Sequence, residues 1–121
     1  MLVCLLGGLA IIGSAPVRAV TLYAMDSKAT LWLLDTKGNG GAGSWTQFTM
    51  SGAARSFPHG IDLDAEGNLY VANSGTYGNP AISKITISGT NAVVANFPTG
   101  FNLNAPWDVT VDGNYLYIQT S

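Results

Sequence analysis

A hexapeptide returns at a fixed interval along this chain. LYAMDS spans residues 22–27, LYVANS spans 69–74 and LYIQTS spans 116–121. Leu22, Leu69 and Leu116 are 47 residues apart each time (22 to 69, 69 to 116), and Tyr23, Tyr70 and Tyr117 keep the same interval. Repetition in this range signals stacked supersecondary units, such as propeller blades or solenoid turns. One such unit cannot bury its apolar face alone. The repeat therefore demands neighbours and constrains the fold more tightly than composition does.

Composition selects the kind of unit. Apolar residues make up 47% and charged residues 10%, with 15 Gly and 5 Pro among 121 residues. That mixture suits short strands joined by tight turns, an all-β class, in one domain at most. The apolar content and the lack of any charge run exclude a disordered chain. A net charge of −2 with five scattered Lys and Arg provides no phosphate-tracking stripe. Nucleic acid and anionic membrane are excluded as main partners.

The middle copy is the complete one. Gly60 to Asp64 alternates, with Ile61 and Leu63 on one face and Asp62 and Asp64 on the other. Ala65 to Asn68 reads as a turn and Leu69 to Asn73 as a second strand. Ser74 to Pro80 is a polar loop, Ile82 to Ser88 a third strand and Ala92 to Phe97 a fourth. Four antiparallel strands in this length fit one propeller blade. The last copy restarts at Pro106-Trp107-Asp108, matching Pro58-His59-Gly60, and stops after its second strand. The first copy begins in the second-strand position at Val20 to Tyr23, with Leu31 to Leu34 third and Trp45 to Phe48 fourth.

The run PHGIDLDAEGNLYVANS, followed by ISKITISG, resembles the NHL-type propeller repeat, within the six-bladed superfamily that includes gluconolactonase-like proteins. The resemblance covers residues 20–121 and is strongest over 58–88. It implies a partial β-propeller, with copies at about 20–57, 58–105 and 106–121, the last incomplete. Trp107-Asp108 departs from the x-Gly of the pattern, and Met25-Asp26 replaces Ala-Asn.

Residues 1–19 read separately. An apolar run from Leu2 to Ile12, then small residues ending in Val17-Arg18-Ala19, has the layout of a signal peptide cleaved after Ala19. No Lys or Arg precedes the run. The alternative is a buried first strand, interrupted by Gly7-Gly8 and Pro16. Export predicts a secreted or periplasmic protein without a stable membrane span after cleavage. Cys4 is the only cysteine, so the mature chain would have no disulfide and no thiolate.

Candidate chemistry gathers at the strand starts. In the resemblance, the residue before Gly faces the central channel, where gluconolactonase-like relatives place metal-ligating Asn or Asp. His59 holds that position, with Trp107 at the equivalent place in the last copy, while Asp62 and Asp108 lie on strand faces opposite the apolar ones and either line the channel or pair with Ser and Thr of the next strand; His59, Asp62, Trp107 and Asp108 are the candidate ligand-binding residues. A solvated loop histidine is the alternative for His59. Asp64 and Asp112 precede turns and suit turn formation. Asp35 to Gly40 lacks the carboxylate pattern of a calcium loop, and no nucleophile elbow, zinc motif or phosphate loop is present. Tyr23, Tyr70 and Tyr117 suit repeat packing better than a sugar-stacking ladder.

These features predict an exported binding or scaffold module for a protein, carbohydrate or small-molecule ligand, with no cofactor, no metal site and no catalytic residue. The alternative is a metal-dependent propeller hydrolase, lactonase or lyase using a divalent cation such as calcium. Propellers use about four to eight blades, so about two blades predict either a piece of a longer protein or closure by self-association, for example of three chains. Ile61, Leu63, Val71, Ile85, Val109, Val111 and Leu116 are expected to lie on uncovered end faces.

Overall fold

A computed structural model describes residues 2–6, 21–37, 41–53, 57–75, 82–100 and 102–121. The cleavage site at Ala19, residues 38–40 of the Asp35 loop and residues 76–80 of the Ser74 loop lie outside them. The described residues form strands β1 (Leu2–Leu6), β2 (Thr21–Met25), β3 (Leu31–Asp35), β4 (Ser44–Gln47), β5 (Thr49–Gly52) and β6 (Pro58–Leu63). β7 (Leu69–Asn73), β8 (Ile82–Ser88), β9 (Asn91–Asn96), β10 (Pro106–Asp112) and β11 (Tyr115–Thr120) follow. They make an all-β fold of three sheets, ordered β1-β2-β3-β4, β5-β9-β8-β7-β6 and β10-β11.

Local chemistry sets the hairpins. Between β6 and β7 the Asp64 carboxylate accepts the Asn68 backbone N–H at 2.7 Å and the Asn68 side-chain amide at 2.8 Å. The Gly67 N–H returns to the Asp64 carbonyl at 3.1 Å. Asp64 thus builds the turn, as its position suggests.

Strand alternation then decides which residues meet. Leu69 pairs with Ile85 and Tyr70 with Lys84, so Leu and Tyr of the repeat point to opposite faces. Leu69, Val71 and Ile85 are fully buried in one cluster with Met25 and Leu31 of the first sheet, and Tyr23 and Leu33 pack against it. On the other face, Ala72 and Ile82 cluster with Val109 of the third sheet, joined by Tyr70, Phe97, Leu116 and Ile118. At both contacts the Tyr face of one sheet therefore meets the Leu face of the next. Full burial of a Leu, Val or Ile stabilises by about 1.5–3 kcal/mol.

This corrects the expectation about uncovered residues. Ile61, Val71, Ile85 and Val109 are buried, Val111 is half-buried, and Leu63 and Leu116 pack against the two clusters. They face neighbouring sheets within the chain. Exposure falls on the Tyr side of the third sheet, where Tyr115 is 69% and Tyr117 57% exposed.

Two strands lie outside the repeat pattern. β1 pairs antiparallel with β2, Leu2 opposite Met25 and Leu6 opposite Thr21, so the apolar N-terminal run takes the place beside β2 that β6 takes beside β7. β5 lies in the first copy's span but pairs parallel with β9, widening the second sheet. Its hold is backbone-based: Thr49 N–H donates to the Thr90 carbonyl at 2.9 Å and Ala53 N–H to the Val94 carbonyl at 2.8 Å. A Cβ on Gly52 would collide with the Val94 backbone.

Gly60 sets the spacing between β6 and β10. A Cβ there would stand 2.5 Å from the Asp108 Cα and 2.7 Å from the Val109 nitrogen, well inside contact distance. Gly60→Ala is expected to destabilise the protein by about 1–3 kcal/mol through overpacking, measured as a fall in urea midpoint. An unchanged midpoint would mean that β6 and β10 are not closely stacked.

Candidate functional site at the starts of β6 and β10

β6 and β10 open alike, with a proline followed by a break in register. The β6–β7 ladder shifts between Pro58 and Ile61, and the β10–β11 ladder shifts between Pro106 and Asp108. Such bulges re-aim side chains, and they contain His59 and Trp107. The two rings meet edge to face, with centroids 4.3 Å apart and planes at 63°. His59 is half-buried, and Trp107 is 48% exposed. Two equivalent positions of the repeat, far apart in the chain, thus form one aromatic pair.

The carboxylates divide. Asp62 is a connector: Oδ1 accepts the Leu63 N–H at 2.8 Å and Oδ2 accepts the Val111 N–H of the next sheet at 2.7 Å. Asp108 is exposed, and its Oδ1 accepts the Val109 N–H at 2.9 Å. An open hollow of about 440 Å³, lined by Asp108, Thr110, Tyr117, Ile118 and Gln119, begins beside it. His59, Trp107 and Asp108 therefore lie together, whereas Asp62 is engaged between sheets. Chemically this is an aromatic edge with a solvated acceptor, suited to holding a ring face or a donor group. Among the described residues, no three His, Cys, Asp or Glu gather to hold a metal ion.

The tyrosines pack as repeat elements where a neighbouring sheet exists. Tyr23 tilts against Phe48 at 6.2 Å. Tyr70 meets Phe97 edge-on at 5.5 Å and carries the Lys84 ammonium 5.6 Å from its ring centroid. Tyr117 instead faces solvent beside Tyr115, at 6.4 Å.

One repeat position carries polar roles that sequence reasoning passed over. Asp26, Asn73 and Thr120 are equivalent. Asp26 accepts the Lys28 and Thr30 N–H groups at 2.9 and 3.0 Å and the Trp32 indole N–H at 3.2 Å. Asn73 is buried and donates to Ser83 Oγ at 3.0 Å, while its Oδ1 has no hydrogen-bond partner among the described residues. A Ser or Asn interrupting otherwise apolar strands was the only available signal.

The Thr30 backbone N–H does most to hold the Asp26 carboxyl below the ordinary aspartate value of 3.8; burial opposes it, and the Trp32 and Lys28 bonds reinforce it. Burial pushes Asp64 up, but the Asn68 bonds, joined by Tyr70 and the Lys84 charge, together leave Asp64 lowered as well. Comparison with protein-family models, with curated proteins and with solved structures returns no match.

A carboxyl lowered on folding contributes stability that is present above its unfolded value and lost as pH falls through its folded value. The melting temperature should therefore hold on acidification until pH approaches the ordinary aspartate value, then fall. Asp26→Asn should lower the melting temperature at neutral pH and flatten the decline in acid. An equally steep acid decline in Asp26→Asn would show that Asp26 contributes nothing to it.

Proposed function

We infer that this chain is an exported β-propeller-type module, similar to NHL repeats, that works by binding or scaffolding. The observation that carries this is the use of its carboxylates. Asp62 and Asp64 spend their oxygens on backbone and amide donors that hold strands and sheets together. The His59–Trp107 pair with the exposed Asp108 offers an aromatic edge beside an acceptor, a surface suited to contact. A ligand with a flat ring face and a donor, such as a sugar, a small aromatic molecule or a protein side chain, fits that edge.

A test separates this from the metal-dependent hydrolase or lyase. Calorimetric titration of the whole chain with calcium and with zinc should give no tight binding, and His59→Ala should change neither the heats nor the stability. Tight binding abolished by His59→Ala would put the metal enzyme first.

Export rests on the N-terminal run and the Val17-Arg18-Ala19 site. No described helix is long and apolar enough to cross a membrane. Pairing of β1 (Leu2–Leu6) with β2 favours a second fate for the N-terminal segment, retention in the folded protein. Protein recovered from the exporting compartment should begin at Val20. An intact Met1 terminus would establish retention.

A further inference from the structure

The two hairpins that build the candidate site differ from the rest of the chain in charge. Residues 57–74 and 105–121 carry Asp62, Asp64, Glu66, Asp108 and Asp112, and they contain no Lys or Arg. Asp62 and Asp64 are committed to backbone donors. Asp108 uses Oδ1 on the Val109 N–H, which leaves Oδ2 for a donor. Its side chain lies against Gly60, the residue after His59.

A second feature stands beside this carboxylate. Phe57 and Ala105, which precede Pro58 and Pro106, both have left-handed backbones, with φ of 48° and 39°. That conformation is costly before proline and more so for a bulky side chain. The Phe57 carbonyl is held there by Ser74, which donates its N–H at 3.1 Å and its hydroxyl at 3.4 Å. Ala105 shows that the turn needs no ring. Packing does not use the ring either, since Phe57 is 65% exposed although it opens the sheet that is covered on both faces. Strain kept at a position where neither turn nor core uses the side chain points to a surface role.

Resting on the binding-module reading, we propose that this edge takes an arginine side chain of a partner polypeptide, with Phe57 as a contact residue. Charge and shape select arginine among the ligands that suit the edge. The two hairpins carry only carboxylates, and their field favours a cation. A guanidinium is flat and stacks on an aromatic face such as that of Trp107, while its fork of donors matches a carboxylate such as Asp108. Phe57 stands two residues from His59, within roughly 7 Å along the chain, so its ring can cover the aliphatic stem. A neutral sugar would leave the charge unused, and an ammonium lacks the flat face.

The test is titration of the whole chain with N-acetyl-argininamide, followed by NMR at the Trp107 indole N–H. The citrulline analogue, in which a neutral urea replaces the guanidinium, is the control. Argininamide should shift the Trp107 signal saturably and bind at least about fivefold more tightly than the analogue, and added salt should weaken it. Phe57→Ala should weaken it by about fourfold, the equivalent of one buried methylene, with an unchanged melting temperature. Asp108→Asn should reduce argininamide to the level of the analogue. Equal affinity for the two probes, no shift of Trp107, or wild-type affinity in Phe57→Ala would overturn the proposal. Methyl glucoside shifting Trp107 where argininamide does not would also overturn it, yet keep the binding module. Tight calcium or zinc binding lost in His59→Ala, without any response to argininamide, would defeat the binding-module reading itself.

Discussion

The approach of β10 to β6 is the constraint on which the rest of this structure depends. Two features make it possible. Gly60 has no Cβ where the Asp108 and Val109 backbone passes, and Asp62 reaches across to take the Val111 N–H. The first permits contact and the second fixes its register. With the backbones this close, the side chains farther along the sheets interlock, and Val109 reaches Ala72 and Ile82. An apolar residue at position 62 would leave the Val111 N–H to be satisfied elsewhere, a cost that burial magnifies.

The same geometry explains the division of labour among polar residues. Tight turns and stacked sheets leave N–H donors to satisfy, and this chain does so with aspartates: Asp26 and Asp64 each accept at least two N–H groups in their hairpin turns, and Asp62 accepts one from its own strand and one from the neighbouring sheet. Carboxylates committed in this way are poor general bases. The aromatic pair at the bulges is different. His59 and Trp107 hold each other across two sheets, so a ligand meeting that edge would sense how the sheets are stacked.

Much of the fold was legible because period-2 alternation and Gly-Asn turns are local signals. The strands from Ile82 to Ser88 and from Pro106 to Asp112 lie where alternation puts them. Other features were not local. β5 carries a single large apolar residue, Met50, and is a strand only because β9 offers an edge and Gly52 fits against Val94. The choice of face was also beyond the sequence: alternation separates Leu69 from Tyr70, but only packing reveals which looks back and which looks forward. At the candidate site, the pairing of His59 with Trp107 follows from their equivalence in the repeat, while the engagement of Asp62 with Val111 required the neighbouring sheet to be seen.

Amide hydrogen exchange at Val111 tests the stacking most directly. Its N–H donates to Asp62 on the neighbouring sheet, so its protection reports contact between sheets and not the hairpin alone. The Val111 amide should exchange slowly in the wild type. In Asp62→Ala it should exchange freely while the amides paired between β10 and β11 stay protected. Fast exchange of Val111 in the folded wild-type protein would contradict the stacked arrangement.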